Sequence, residues 1–251
     1  MKVMHRVVQM VAAVALLAIS MPVHASKMDD RIESSARNSY VFKTYLQTDD
    51  IKIHSVNGVV TLTGTVTDES HKLLAREAVA NLPGVKSVDN SLEVKGERPA
   101  ENSDTWLMMK VKTTLLLHRS VSGFNTEVGA VKDGVVTLRG EATSQAQREL
   151  TTEYAKGVEG VKDVNNEMTV SGVEASRTVG QDVDDASITA QVKLILLYHR
   201  STSALNTSVT TNKGVVTLGG KATNTTEKDL ATKLAGDVNG VKSVNNLMTI
   251  E

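Results

Sequence analysis

The apolar positions of this chain fall into three stretches that repeat one order of patterns. Each stretch holds a β-branched run directly after a two-residue turn signal: Asn57-Gly58 before Val59-Val60-Thr61-Leu62, Asp133-Gly134 before Val135-Val136-Thr137-Leu138, and Lys213-Gly214 before Val215-Val216-Thr217-Leu218. Asn-Gly and Asp-Gly are strong hairpin turns because glycine tolerates the positive φ that a tight turn demands. Lys213-Gly214 fits this less well but occupies the same slot. The run before each turn alternates more weakly, through Ile51 and Ile53, Val128, or Val209, so each stretch predicts a β-hairpin. Gly64, Gly140 and Gly220 end the second strand, where a missing Cβ permits a bulge or a close helix approach.

A helix is predicted next, because Leu74/Ala78/Leu82, Leu150/Tyr154/Val158 and Leu230/Leu234/Val238 recur at i, i+4 and i+8. Its start is polar in every copy (Asp68-Glu69-Ser70, Thr143-Ser144-Gln145, Thr223-Asn224-Thr225), which supplies capping oxygens. Gly84, Gly160 and Gly240 lie beyond the stripe as stop signals, each 26 positions after its turn glycine. The nine glycines of the three copies read as structural. Val88/Asn90/Leu92/Val94, Val164/Asn166/Met168/Val170 and Val244/Asn246/Met248/Ile250 then alternate at period two, predicting a third strand.

Upstream of the hairpins, Leu107/Val111/Leu115 match Ile188/Val192/Leu196 as another helix, with Asp104 and Asp185 placed to cap it. In the first copy residues 40–46 are apolar enough to be that helix, with a shorter loop to Ile51. The fold class is therefore α+β: three tandem αββαβ modules, each a small mixed three-stranded sheet with two helices on one face, over residues 28–96, 103–172 and 183–251. The polar linker 97–102 is short. The linker 171–182, with Gly172 and Gly180, is longer, so the third module is expected to move against the first two unless its helix packs back on them.

The N-terminus departs from the repeat. Lys2, His5 and Arg6 precede an uncharged apolar run over 7–19, too short to span a bilayer, and Val23 and Ala25 are the small residues of a cleavage site. Residues 1–25 read as a signal peptide, giving an exported, periplasmic chain that starts at Ser26. The 251 residues contain no cysteine, which excludes a disulfide framework and a lipid-bearing cysteine, so no stable membrane anchor is expected. Removal of Lys2 and Arg6 leaves 26 basic and 29 acidic side chains, so charge gives no reason to expect nucleic acid as a partner.

The pattern Asn/Asp/Lys-Gly-Val-Val-Thr-Leu-x-Gly, an amphipathic helix, and then Gly-Val-Lys-x-Val-x-Asn resembles the BON domain family over nearly all of the exported chain. The resemblance implies an αββαβ fold, a cell-envelope location, a link to osmotic stress, and binding of phospholipid or other envelope surfaces in place of catalysis.

Candidate contact residues lie on the first helices. On a helical projection of the second copy, Leu107, Val111, Thr114 and Leu115 face the core, Met109 and Leu116 fall opposite, and Trp106 and Leu117 lie on the flank. The third copy repeats the excess with Leu197 opposite the stripe and Tyr198 beside it. Both helices run into His-Arg-Ser, placing His118-Arg119 and His199-Arg200 at a C-terminus, where the macrodipole favours a cation by about 0.3–1 kcal/mol. Two readings of this surface stand side by side. In one, Trp106 sits at headgroup depth with Arg119 on lipid phosphate; in the other, the apolar flanks pack the modules together.

Catalytic and cofactor chemistry is not expected. His54, His71, His118 and His199 lack metal-ligand spacing, and the glycine-containing turns join strand to strand, unlike a phosphate loop. No Gly-x-Ser-x-Gly elbow occurs. The leading function is a non-catalytic periplasmic stress protein binding anionic phospholipid or envelope proteins; the alternatives are a holdase-like chaperone and a structural adaptor. Lipid binding predicts salt-sensitive adhesion through Arg119 and Arg200, whereas client binding should tolerate salt.

Overall fold

The computed structural model describes residues 23–96, 99–121, 123, 125–171, 182–202 and 206–251, with side chains from residue 27. The signal-peptide segment lies outside the described residues except for 23–25, and so does most of the linker 171–182. The first module comprises α1 (Val23–Asn38), α2 (Tyr40–Thr44), β1 (Asp50–Val56), β2 (Val59–Val66), α3 (Glu69–Ala80) and β3 (Ser87–Val94). The second comprises α4 (Asp104–Leu117), β4 (Thr126–Lys132), β5 (Val135–Ala142), α5 (Gln145–Gly157), β6 (Asp163–Asn166) and β7 (Thr169–Val170). The third comprises α6 (Asp185–Tyr198), β8 (Thr207–Asn212), β9 (Val215–Ala222), α7 (Thr225–Gly236), β10 (Ser243–Asn246) and β11 (Thr249–Ile250).

The Val-Val-Thr-Leu strand is the centre of each sheet. In the first module β2 pairs antiparallel with β1, with Ile53 opposite Leu62, and parallel with β3, with Val60 opposite Val88. The parallel partner follows from α3, because a crossover helix returns the chain to the end where β2 began. β5 and β9 hold the same central place. Alternation then decides burial: Val60, Leu62 and Val66 are fully buried under α1 and α3, while Val59 faces solvent. In the second and third modules the last strand is interrupted, so β6/β7 and β10/β11 are separate pieces in one register. Asn166 and Asn246 bridge the break, donating to the Arg148 and Lys228 carbonyls and accepting from Met168 N and Met248 N.

Three expectations need correction. The first helix of the first module is α1, whose Ile32 and Ala36 are buried; residues 40–46 instead supply the short α2. Asp104 and Asp185 do not cap their own helices, because Ser103 and Asp184 do. Each reaches instead across to the hairpin turn, accepting from both of its amides: Asp133 N at 3.0 Å and Gly134 N at 3.2 Å for Asp104, Lys213 N at 2.7 Å and Gly214 N at 2.8 Å for Asp185. Asp29 does the same for Asn57 and Gly58. These clamps hold Asn57, Asp133 and Lys213 at φ of 52–54°, so the lysine adopts the turn as fully as the others. Finally, what Gly140 admits is strand and not helix: a Cβ there would collide with the Asn125 carbonyl.

The third module packs back on the other two. α6 is buried almost all round, with Ile188, Ala190, Val192, Leu194, Ile195 and Leu196 each 1% exposed or less, as expected of a helix apolar on every side. One continuous apolar core runs through the first and third modules, and the second has its own. Polar contacts fix the packing: Tyr40 N donates to Asp184, Tyr45 Oη to Gln191, and Lys193 Nζ pairs with Glu77 at 2.9 Å. The expected independent motion of the third module is therefore replaced by docking of α6 against α3 and α4.

Candidate functional site

The ends of α4 and α6 meet the ends of α7 and α5 in a reciprocal seam. His118 bridges to Val238, and His199 to Val158. Arg119 N donates to the Asp237 carbonyl and Arg200 N to the Gly157 carbonyl, both at 2.9 Å. The guanidiniums finish the exchange: Arg119 Nη1 reaches the Val241 carbonyl at 3.0 Å, and Arg200 Nη2 reaches those of Val158 and Val161. Module two thus grips module three with the same residues by which module three grips module two.

Asp237 is the hub on one side. It accepts from Tyr154 Oη at 2.7 Å and from Ser120 Oγ, with Arg119 Nε at 3.6 Å and His118 Nδ1 at 3.3 Å. The His118 contact is out of line for a hydrogen bond; both ring nitrogens are buried without one among the described residues. The ring lies flat on Tyr154, centroids 3.7 Å apart. Burial pushes the Asp237 carboxyl up, but the polar contacts from His118, Ser120 and Tyr154 outweigh it and hold the carboxyl below the usual range. On the other side burial pushes His199 down to about 4, helped by Arg200 and His118. That is opposite to the cationic cap expected from the macrodipole.

The predicted contact residues accordingly divide. Leu117, His118 and Tyr198 are buried, Tyr198 sharing a hydrogen bond with Ser70 of the first module. Leu116 packs against the core of modules one and three. Arg119, His199 and Arg200 are held in the seam. Met109 is half-buried, and Leu197 is the member of the set most open to solvent among the apolar ones, at 39%. Trp106 is half-buried, with Lys110 Nζ 4.0 Å from its ring centre.

Trp106 borders a shallow cleft of about 440 Å³ between the start of α4, the Asp133-Gly134 turn and the loop after α5. Gly160 and Leu107 form its floor, and Asn102 and the exposed Lys162 its rim. Reading α4 alone misses Lys162 and Gly160, which reach the cleft from the repeated Gly-Val-Lys segment. Among the described residues no group of three or more histidines or carboxylates is placed to hold a metal ion, and no helix is long and apolar enough to cross a membrane.

Comparison with known proteins agrees with the module pattern. A sequence model of the BON domain matches residues 28–96, 103–172 and 184–251. Osmotically-inducible protein Y of Escherichia coli (strain K12) is 32% identical over 197 residues, 78% of this chain and 95% of that protein. The outer membrane lipoprotein DolP of Haemophilus influenzae is 33% identical over 112 residues, 45% of this chain and 56% of its own. A solved structure of CdsD, a structural protein of the type III secretion system of Chlamydia trachomatis, covers 90% of this chain and 92% of its own at 16% identity, but its TM-score of 0.24 carries no argument. The chain belongs to the BON domain family, as a protein of three tandem BON modules.

Proposed function

We propose that the chain is an exported periplasmic protein of the envelope response to osmotic stress, and that its second module docks on anionic phospholipid with Trp106 at the centre of the contact. The signal-peptide reading of residues 1–25 supports export. Likeness to a relative named as osmotically inducible supports the stress role, and likeness to an outer membrane lipoprotein supports the envelope. The absence of cysteine in this chain means that any membrane contact is made by the folded surface and not by a cysteine-linked lipid.

One observation carries the lipid reading: a half-exposed indole and the exposed Lys162 border one open cleft whose lining, among the described residues, comes from the second module and the linker before it. An indole at headgroup depth with a neighbouring ammonium on phosphate is the arrangement a membrane interface favours. Arg119 and Arg200 are spent on carbonyls across the seam, so the salt-sensitive charge in this reading is Lys162.

Trp106 is the sole tryptophan, and its fluorescence tests the proposal. Titration with phosphatidylglycerol vesicles should shift its emission to the blue, with reversal by salt, no response to phosphatidylcholine, and loss in Lys162→Glu. Emission indifferent to vesicle charge and to salt sinks the lipid reading. A blue shift with unfolded protein at high salt, absent with vesicles, would favour the chaperone alternative.

A further inference from the structure

The seam between modules two and three is symmetrical in its backbone and in half of its side chains. His118-Arg119-Ser120 and His199-Arg200-Ser201 each grip the end of the other module's second helix. A surface that pairs with its own relative in this way can also pair with itself, because every copy carries both the grip and the carbonyls that the grip holds. Two self-pairings are thereby open between two chains: module two with module two, and module three with module three.

Two positions break the symmetry. Asp237 follows α7 where Gly157 ends α5, and Leu234 stands in α7 where Tyr154 stands in α5. The surroundings differ to match. Beside Asp237 the His118 ring lies flat on Tyr154, and the carboxylate accepts from Tyr154 Oη and Ser120 Oγ. At Gly157 a carboxylate has no room, since even a Cβ would lie 2.7 Å from His199 Nε2. The φ of Gly157 is not positive, so the backbone does not demand glycine there; the histidine of module three does. Leu234 is buried and has no hydroxyl to offer an acceptor.

We propose that these four residues select the partner of each seam surface. Module two, with Tyr154 and Gly157, fits a module that brings a carboxylate to the end of its second helix. Module three, with Leu234 and Asp237, fits one that ends that helix in glycine and offers a tyrosine before it. The pairing found within the chain satisfies both. Module two against a second copy of itself sets two Tyr154 hydroxyls in the seam with no carboxylate. Module three against itself sets two Asp237 carboxylates there with no tyrosine, and brings each His199 onto a Cβ in the place left bare at Gly157. A buried hydroxyl or carboxylate without its partner costs more than a made bond returns. The chain therefore closes on itself and not on a second copy.

The test exchanges the four residues in the full chain. Y154L/G157D leaves the seam with two carboxylates and no tyrosine, and L234Y/D237G leaves it with two tyrosines and no carboxylate. Combined, the four substitutions rebuild the pair in mirror image. The Arg119 and Arg200 amides donate across the seam, so their hydrogen exchange reports on it. Both should exchange faster by about tenfold or more in either half exchange and recover most of their protection in the full exchange. Protection in the full exchange no better than in the halves overturns the proposal, because residues that merely suit their own modules lose more with each substitution. Leu234 is buried, so a second pair of variants guards against loss of the fold. Gly157→Ala should speed Arg200 amide exchange in the native background and add nothing in His199→Ser, where the ring that needs the space is gone. An equal effect in both backgrounds overturns the proposal. In the native protein the protection of both amides should not depend on protein concentration; loss on dilution would place the seam between two chains and overturn it as well.

Discussion

Tyr154 donates its hydroxyl to the Asp237 carboxylate at 2.7 Å, tying the second helix of module two to the end of the second helix of module three. Asp237 stands at the C-cap of α7, where the macrodipole disfavours an anion. Its partners all come from module two: Tyr154, Ser120, His118 and Arg119. The carboxylate is therefore misplaced for its own helix and well placed for the seam.

Removing that carboxylate should loosen the seam more than it harms either module. Asp237→Ala leaves the Tyr154 and Ser120 hydroxyls without their acceptor in a largely buried place, a loss of about 2–4 kcal/mol. Tyr154→Phe keeps the ring on His118 and should lose about 1 kcal/mol. Denaturant unfolding of both variants checks the order. Equal and negligible effects would mean that the seam is held by its apolar contacts alone.

Acid should weaken the same seam through its other histidine. The folded pKa of His199, about 4, lies below the ordinary 6.5 because the ring is buried as the neutral form. As pH falls below 6.5 the unfolded chain takes up a proton that the folded chain refuses, so stability is lost progressively down to about pH 4 and then levels. Allowing for solvent around a ring that is not fully enclosed, the loss is about 1–2 kcal/mol. Asp237, with its pKa held low, adds a further loss only as pH falls through the usual carboxylate range and below. Melting curves between pH 7 and pH 4 should show the decline in the native protein and a flatter profile in His199→Gln; an unchanged slope refutes the assignment to His199.

The repeat was legible because its signals are local. A glycine turn, a β-branched run and a helical stripe lie within a few residues of one another, so Asn57-Gly58, Val59 to Leu62 and Leu74/Ala78 declare themselves without tertiary information. The seam joins residues far apart in the chain, 42 positions for Arg200 with Val158 and 122 for Arg119 with Val241, and no period in the chain announces that. Two clues were present. The apolar residues on every side of α6 require more cover than one sheet supplies, and an aspartate at the end of α7 has no local use. The first helix of module one was misread because Asp29, Ile32 and Ala36 are set among charged and small residues, while the more apolar residues 40–46 serve the contact with α6 instead.

The repeated turn clamp should also be measurable. Asp104→Ala removes the acceptor of Asp133 N and Gly134 N together and should lower stability by about 1–3 kcal/mol. Asp104→Asn keeps one acceptor oxygen and should lose less. Faster amide exchange at Asp133 and Gly134 in the alanine variant, with the Asp185 clamp of module three unchanged, is the expected signature. Unaltered exchange would show that the Asp-Gly turn holds itself.

Lys110 separates the value of a charge from the value of a stem. Its side chain is 6% exposed, with Nζ 4.0 Å from the Trp106 ring centre, 5.2 Å from that of Tyr198 and 3.5 Å from Glu159. Burial lowers its pKa, and Glu159 offsets only part of that. Lys110→Met keeps the packed stem and removes an ion that the site desolvates, so stability should change by less than about 1 kcal/mol or rise. Lys110→Ala opens the space between Trp106 and Tyr198 and should lose about 1–3 kcal/mol. Because the folded pKa is depressed, the native protein should gain stability as pH rises towards the ordinary lysine range, relative to Lys110→Met. If methionine is as damaging as alanine, the ammonium between the two rings, and not the stem, holds α4 against α6.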